Sequence, residues 1–337
     1  MNSIKKQRIP SIDIFRYICA LLVIAIHTKP FESTLPKLSF VLVQIIPRIA
    51  VPFFFMVSGY FYFQKLQNGE KPFKKEVLRL IRVYFFWSCI YFFIDFLQWG
   101  YANPKGFIAN CVVSFLFYGS YYHFWYFPAL IFSICFATLL WKSGLKKWII
   151  PAGFAFYILG CLGCAYFNLC KNVPVLGNIL SLPQFIHIRR ILLMGYPFFA
   201  GGYFVNKINE KANLKNGMVM MLGSLLVWIL EILFVIRMNF QNNIILTFGL
   251  YPLTVSVLIV LILHPMPELK EISSVCRKLS GFTFYSHPVF ILAFASVYRA
   301  VAGNDISGTV LFIFTVLGTL ITGLALLRSR SKIYQLT

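Results

Sequence analysis

Long apolar runs recur along the whole chain, separated by short polar stretches. A membrane hydrocarbon core about 30 Å thick needs about 20 apolar residues per helix, and somewhat shorter or longer runs fit with some tilt. Helices are the open-chain structure that satisfies backbone hydrogen bonds in lipid, and no alternating barrel pattern occurs. The pattern therefore predicts an all-α polytopic membrane bundle of about ten transmembrane helices, at residues 12–28, 39–63, 78–99, 125–142, 148–167, 190–205, 217–237, 244–263, 282–300 and 306–327.

The composition agrees with this class. The chain is 59% hydrophobic and 12% charged, with a mean hydropathy of +0.76, which excludes an ordinary soluble globular domain. One apolar stretch, Phe107 to Tyr118, is too short to span comfortably. We expect it to be interfacial or re-entrant.

The charge pattern predicts the orientation. The 31 Lys and Arg residues give a net charge of +21, and with these spans most of them fall on the side that holds both termini. The positive-inside rule then places the N- and C-termini in the cytoplasm. The excess charge faces the anionic inner leaflet rather than a nucleic acid, although the same side chains could also hold a phosphorylated cytosolic ligand.

Soluble-enzyme chemistry has no place in this sequence. It contains no phosphate-binding glycine loop, no serine-hydrolase elbow and no zinc-protease motif. Cys161 and Cys164 have a two-residue spacing without a second pair, so we expect packing cysteines and no metal. No small-residue cleavage site follows the first apolar run, so we expect that span to be retained.

The first predicted span carries two ionisable residues, Arg16 and His27. Eleven helical steps bring both side chains to one face, about 16 Å apart along the axis. Ionisable groups in hydrocarbon are costly unless they face a polar interior, so this pair marks a candidate site. Snorkelling to the headgroups is the alternative for Arg16. Asp13 lies one turn earlier and favours a polar seam in which it pairs with that guanidinium.

The second predicted span also contains an arginine, Arg48, whose guanidinium group needs a partner at that depth in the membrane. Pro47 and Pro52 interrupt its backbone hydrogen bonds, which is also what a simple packing kink requires. Ser58 and Gly59 allow another helix or a ligand to approach closely.

Arg79 and Arg82 lie three residues apart, on one face at the start of the third span. A solvated basic flank explains them as well as a phosphate clamp does, because two guanidinium forks on one face suit a multidentate anion.

Several polar residues occur near the ends of later spans. Trp125 fits an interfacial aromatic belt and His123 an interfacial histidine. Arg189 and Arg190 break the positive-inside pattern, which indicates a pocket. Asp95 and Glu231 lie in mid-span and should be paired, protonated or exposed to water. His287 precedes a proline and is expected at a helix start; all of these positions are read directly from the chain.

Taken together, these motifs resemble the acyltransferase-3 family, ten-helix membrane proteins that acylate sugars and other cell-envelope acceptors. The resemblance rests on the Arg16/His27 spacing, the stretch PFFFMVSG, Arg79/Arg82, the HFWYF element and Tyr285/His287. It covers nearly the whole chain. The sequences AVPFFFMVSGY and YHFWYFPALI are also similar to the membrane-embedded N-terminal domain of vancomycin-resistance serine racemases.

The second similarity has consequences for domain organisation. In such racemases a cytosolic pyridoxal-phosphate domain follows the last helix, where this chain has the basic tail Arg328 to Thr337. The resemblance implies that residues 1–337 form one membrane domain, that the racemase site lies outside it, and that it resides in a bacterial cytoplasmic membrane.

The family comparison also implies roles. His27 matches a general base acting on the acceptor, and an imidazole suits proton transfer at neutral pH. Arg16 matches a partner on the path of the acyl donor. Arg79, Arg82 and Tyr285 match positions for acetyl- or acyl-coenzyme A. Candidate substrate-binding residues are Arg48, Ser58, His123, Trp125 and Arg189.

Two other functions remain open from the sequence. The racemase similarity implies a module that binds or takes up L-serine, with Arg48, Asp95, Glu231, Arg189 and Arg190 along a zwitterion path. No strong internal repeat of the transporter type supports this reading. A purely structural anchor is the third possibility, but it does not explain why Arg16 and His27 share a face.

Overall fold

The computed structural model describes residues 8–100, 104–182 and 185–329. Within these ranges the chain forms helices joined by turns, without a β-strand. The α-helices in chain order are α1 Pro10–Thr28, α2 Pro36–Phe40, α3 Ala50–Gln67, α4 Phe73–Asp95, α5 Pro104–Val113, α6 Tyr126–Lys142, α7 Ile149–Leu162, α8 Phe167–Cys170, α9 Leu176–Leu180, α10 Phe185–Ile188, α11 Tyr196–Ile208, α12 Leu214–Arg237, α13 Leu250–Leu263, α14 Lys270–Ala302 and α15 Gly308–Arg328. Residues 330–337 of the predicted basic tail lie outside the described residues.

The predicted fold class is confirmed as an all-helical, multi-pass membrane protein. By length and apolar composition, six helical segments of the described chain can cross a membrane: Pro10–Thr28, Pro36–Gln67, Phe73–Gln98, Leu214–Arg237, Pro267–Ala302 and Gly308–Arg328. Tyr126–Lys142 and Leu250–Leu263 are shorter apolar helices. The count of ten spans and the cytoplasmic position of the termini stay predictions.

The outer surface of the bundle is apolar. Large side chains such as Phe93, Leu222 and Val301 are exposed on α4, α12 and α14, whereas soluble proteins rarely expose apolar patches of this extent. These faces suit contact with lipid tails, and the buried core is filled by aromatic residues of α3, α6 and α11.

Helix α1 runs through the interior. Pro10 occupies its first turn, where the missing N–H costs nothing. Lys29 ends it in a left-handed conformation, with φ 50° and its N–H donating to Ala25 O. The helix packs against α14, α3, α15 and α13, and both Arg16 and His27 are half-buried.

The close approach predicted at Gly59 is confirmed. A Cβ at Gly59 would overlap the backbone carbonyl of Phe199, and one at Gly202 would overlap the backbone around Tyr60. Helices α3 and α11 are therefore in direct backbone contact, which small residues permit in membrane bundles.

Three predicted boundaries need correction. The span predicted at 282–300 is the second half of α14, which begins at Lys270, so His287 lies in mid-helix and not at a helix start. The span predicted at 190–205 begins as the π-helical segment Arg189–Gly195. The span predicted at 244–263 starts only at Leu250, because the preceding backbone is held by a side chain of α12 instead of by helical hydrogen bonds.

The segment predicted as interfacial or re-entrant is helical. It comprises α5 and the π-helical Ser114–Tyr118, and neither buries a residue. Its depth in a membrane stays a prediction.

Candidate functional site

A cavity of about 200 Å³ lies beside the last turn of α1. Side chains from α1, from both sides of the α3 N-terminus, from the connection before α6, from Arg189–Gly195 and from α14 form its wall. Half of the residues predicted as site residues meet here. These are His27, Arg48, His123, Trp125 and Arg189.

Three histidines from different parts of the chain are neighbours at this cavity. The rings of His27 and His287 are stacked with centroids 5.4 Å apart, and those of His123 and His287 form an edge contact at 4.9 Å. The Tyr122 ring packs on the His27 ring, with 4.6 Å between their centroids. His27 and His123 line the cavity, and the fully buried His287 lies behind them.

The position of His287 follows from the proline after it. Pro288 has no N–H, so the carbonyl of Phe284 loses its helical donor. His287 Nδ1 lies 2.9 Å from that carbonyl oxygen and 3.1 Å from Thr283 O. Carbonyl oxygens only accept, so Nδ1 carries a proton, and in the neutral ring Nε2 is then a hydrogen-bond acceptor. Nε2 is buried and has no hydrogen-bond partner among the described residues.

His123 is a second neutral imidazole in this group. It precedes α6 and is buried. Burial, with smaller effects of His287 and His27, lowers the pKa of His123 well below its ordinary value, so its ring is uncharged at pH 7. Neither of its ring nitrogens has a well-aligned hydrogen-bond partner in the described chain.

Three guanidinium groups complete the wall of the cavity. Arg48 donates from Nε to Gln44 O at 3.0 Å and also to the Gln44 side-chain oxygen. Arg189 is 9% exposed and lies 3.8 Å from Cys164 Sγ. Arg190 lies over the Trp125 ring at 5.7 Å. The pocket that the sequence indicated at Arg189 and Arg190 is thus present.

The second cluster comprises the other predicted site residues, none of which lines the cavity: Arg16, Ser58, Arg79, Arg82 and Tyr285. Arg16 does not line the cavity. Tyr126 does, and its side chain lies in the electrostatic field of Arg16 and Arg79, whereas the Ser58 hydroxyl donates to Phe54 O at 2.7 Å. The Tyr285 hydroxyl lies in the field of the same two arginines. Tyr126 therefore lines the cavity and also lies within the electrostatic influence of two arginines of the second cluster.

Aromatic rings pack around that tyrosine. Phe54 lies 6.3 Å and Phe284 lies 5.5 Å from the Tyr126 ring, measured between centroids. Arg16 itself is half-buried, and its Nε has no hydrogen-bond partner in the described part of the chain. Asp13 is buried and lies in the field of Arg16, but the expected ion pair within 4.0 Å is absent among the described residues.

Arg79 and Arg82 are both exposed at the same end of α4. Arg79 forms an ion pair with Glu76 at 3.0 Å, and Lys65 contacts the same carboxylate. One guanidinium thus has a local acidic partner, and both alternatives that the sequence left open, a solvated flank and an anion clamp, remain compatible with this arrangement.

The two mid-span acids lie elsewhere. Glu231 accepts hydrogen bonds from Tyr166 OH at 2.8 Å and from the backbone nitrogens of Phe248 and Gly249 at 2.7 and 2.6 Å. These bonds hold the non-helical segment before α13 and explain its corrected boundary. Neither Glu231 nor Asp95 lines the cavity.

Sequence reasoning missed His287 and Tyr126 as members of the site. The usable signal for His287 is the proline that follows it, because a freed carbonyl needs a donor from a nearby side chain. The cysteines of the two-residue pair are free and buried. Among residues 8–100, 104–182 and 185–329, no group of three His, Cys, Asp or Glu could hold a metal ion.

Residues 9–328 match the acyltransferase domain family. The match covers nearly the whole chain, so the protein belongs to the acyltransferase-3 family. No solved structure matches the chain.

Relatives from enterococci carry racemase names. The chain is 28% identical over 313 residues to an amino-acid racemase of Enterococcus faecalis, with 87% of this chain and 42% of that protein covered. It is 32% identical over 232 residues to the serine/alanine racemase of Enterococcus gallinarum, with 65% of this chain and 32% of that protein covered. The chain thus spans less than half the length of these relatives.

Proposed function

We propose that this chain is the acyl-transferring membrane domain of a bacterial vancomycin-resistance serine racemase. It takes an acyl group from acetyl- or acyl-coenzyme A on the cytoplasmic side and transfers it to a hydroxyl or amino acceptor. Family membership supports the reaction class, and the racemase names of the relatives support the fusion to a cytosolic domain in a longer protein.

The observation that carries the proposal is the position of His27. Its ring lines a cavity of about 200 Å³ with room for a small acceptor and stacks on the His287 imidazole. The acceptor oxygen or nitrogen bonds to the thioester carbonyl carbon while His27 takes its proton. The carbon–sulfur bond then breaks, and the proton goes to the departing thiolate.

The donor approaches from the other cluster. Coenzyme A is cytosolic and anionic, and Arg79 and Arg82 are exposed at one end of α4. Arg16 and Arg79 act electrostatically on Tyr285 and on Tyr126, and Tyr126 also lines the cavity. The Tyr126 hydroxyl therefore offers a polar group on the proposed route of the thioester.

Transfer of a radiolabelled acetyl group from acetyl-coenzyme A by purified protein tests the base. His27→Ala should abolish transfer, because it removes the proposed base; the other imidazole on the cavity wall, His123, belongs to a different segment and stays in place. His264→Ala, an exposed histidine at the end of α13, is the matched control and should transfer normally. Unchanged transfer by a folded His27→Ala protein removes His27 from the mechanism.

Donor binding has its own test. Coenzyme A should raise the thermal unfolding midpoint of the wild-type protein, since ligands that bind the folded state stabilise it. Arg79→Ala/Arg82→Ala should lose this effect. Lys74→Ala/Lys75→Ala removes two exposed charges from the same helix end and should keep it. Equal stabilisation of both double variants would exclude the arginine clamp.

The second candidate function is L-serine binding or uptake for a cytosolic racemase. The name of the Enterococcus gallinarum relative favours it. The acids expected on a zwitterion path, Asp95 and Glu231, lie away from the cavity, which weakens it. Stabilisation by L-serine with no effect of coenzyme A would favour this function over acyl transfer.

A further inference from the structure

The cavity beside His27 contains a concentration of positive charge. Arg48, Arg189 and Arg190 all line it. A guanidinium group stays protonated in proteins, so three full charges face about 200 Å³ of space. Their hydrogen-bond and ring partners are an amide and a backbone carbonyl of Gln44, the Cys164 sulfur and the Trp125 ring. None of these partners carries a negative charge.

The chain has no carboxylate available to neutralise them. It contains ten Asp and Glu residues, and all ten lie in the described ranges. Ion pairs to Lys or Arg occupy Glu32, Glu76 and Asp305. Glu231 is occupied by three neutral donors, and Asp13 faces Arg16, Arg277 and Arg8. None of the five remaining acids lines the cavity: Glu70, Asp95, Glu210, Glu268 and Glu271.

This arrangement is electrostatically unfavourable when the cavity holds only neutral molecules. Arg189 is nine-tenths buried, and its charge repels those of both Arg48 and Arg190. Burial of an unpaired charge costs several kcal/mol, as a rule of thumb, unless an opposite charge compensates for it. An anion bound between the guanidinium forks supplies that compensation, and planar forks suit a carboxylate or a phosphate group.

We propose that this cavity binds a small organic oxyanion, and that the acyl acceptor is therefore an anionic molecule. The guanidinium groups of Arg48, Arg189 and Arg190 hold its carboxylate or phosphate group, and its hydroxyl or amino group faces His27. That the bound anion is the acyl acceptor rests on the proposed function, whereas anion binding itself does not. A neutral sugar would leave the three charges uncompensated.

Matched small molecules test the charge requirement directly. We would measure the thermal unfolding midpoint of the detergent-purified chain with L-lactate, with propane-1,2-diol and with inorganic phosphate. Lactate and the diol share a hydroxyl group and differ in the carboxylate. A saturable rise with lactate or phosphate and none with the diol supports the proposal. The stronger of the two anions identifies the acidic group, and equal effects of lactate and the diol, or no effect of either anion, would overturn it.

Variants then assign the site. Arg189→Gln should weaken anion binding by about tenfold or more, as loss of a charge-assisted hydrogen bond does. Arg48→Gln should do the same and serves if Arg189→Gln fails to fold. Arg237→Gln removes an exposed guanidinium at the end of α12 and should bind as the wild type does. Unchanged affinity in folded Arg48→Gln and Arg189→Gln proteins would refute the site.

These outcomes are separable from the acyl-transfer tests. If anion binding is lost in Arg189→Gln but His27→Ala still transfers an acyl group, the anion site stands and the catalytic role fails. If transfer needs His27 but the diol binds as well as lactate, the catalytic role stands and the anion site fails.

Discussion

The backbone contact between α3 and α11 allows a quantitative prediction. Gly59 faces the Phe199 carbonyl, and a Cβ built there overlaps the carbonyl oxygen and lies 2.8 Å from the carbonyl carbon. Ordinary van der Waals contact starts at 3.4 Å. The carbon contact alone requires the helices to separate by about 0.6 Å, and the nearer oxygen requires more, before one methyl group fits. Both sides of the contact are backbone, which cannot move aside as a side chain can.

Separation of the helices should be costly for two reasons. Overpacking of a close-packed interior costs about 1–3 kcal/mol, and each neighbouring contact along the interface weakens as the gap opens. Helix association in lipid depends on such packing, because lipid tails are as apolar as the helix surfaces. We therefore expect Gly59→Ala to lower the free energy of unfolding by about 1–3 kcal/mol.

The consequence should extend to the site. Arg48 lies just before α3, and the Arg189–Gly195 segment leads directly into α11, so a wider α3–α11 gap moves two walls of the cavity. Anion affinity should fall together with stability in Gly59→Ala. Substitution of a residue far from the arginines would otherwise have no reason to change ligand binding.

The assay is thermal unfolding of the purified protein in one detergent, with and without lactate. Gly223→Ala is the matched control, since nothing lies within 4 Å of a Cβ at that position in α12, and alanine improves helix propensity there by up to about 1 kcal/mol. Wild-type stability of Gly59→Ala would show that the two backbones are not in contact.

Three further changes should have measurable effects. Glu231→Ala removes the acceptor of three hydrogen bonds and should lower the free energy of unfolding by roughly 2 kcal/mol or more in chemical denaturation. The exposed Glu268→Ala should leave it unchanged. Trp228→Phe loses the 2.9 Å bond to Thr247 Oγ1 and should cost about 1 kcal/mol in chemical denaturation. His287→Gln keeps an acceptor near Nε2 and should retain more kcat for acyl transfer than His287→Phe, with KM similar in both; equal kcat values would refute a polar role.

The sequence predicted the helical class and five of the residues that line the cavity because both depend on local chemistry. An ionisable residue in an apolar run is conspicuous in any position, and Arg48, His27 and Arg189 were found in this way. The close approach at Gly59 was predictable for the same reason, since a small residue in a membrane helix permits close contact between backbones. None of these predictions required knowledge of which helices are neighbours.

What the sequence left undecided depends on contacts between distant segments. His287 looked like a helix-start residue because a proline follows it, but the helix continues through Pro288, since the histidine itself satisfies the carbonyl that the proline leaves free. The separation of Arg16 from the cavity has a similar origin. Arg16 and His27 share one face of α1, yet only His27 lines the cavity, because aromatic residues of α3, α6 and α14 pack together in a way that α1 alone does not reveal.

Tyr126 connects the two halves of the proposed reaction. In this proposal a donor anchored at the exposed end of α4 and an acceptor held by the guanidinium groups of the cavity approach the same point. Tyr126 lines the cavity and lies in the electrostatic field of Arg16 and Arg79. Phe54 and Phe284 pack beside it, so we expect a thioester that approaches His27 to pass these rings. An acyl chain is apolar and a water molecule is not, so aromatic packing at this point favours passage of the chain over leakage of water. The division between a charged acceptor cavity and an aromatic barrier thus suits transfer between two substrates better than continuous passage of one polar solute.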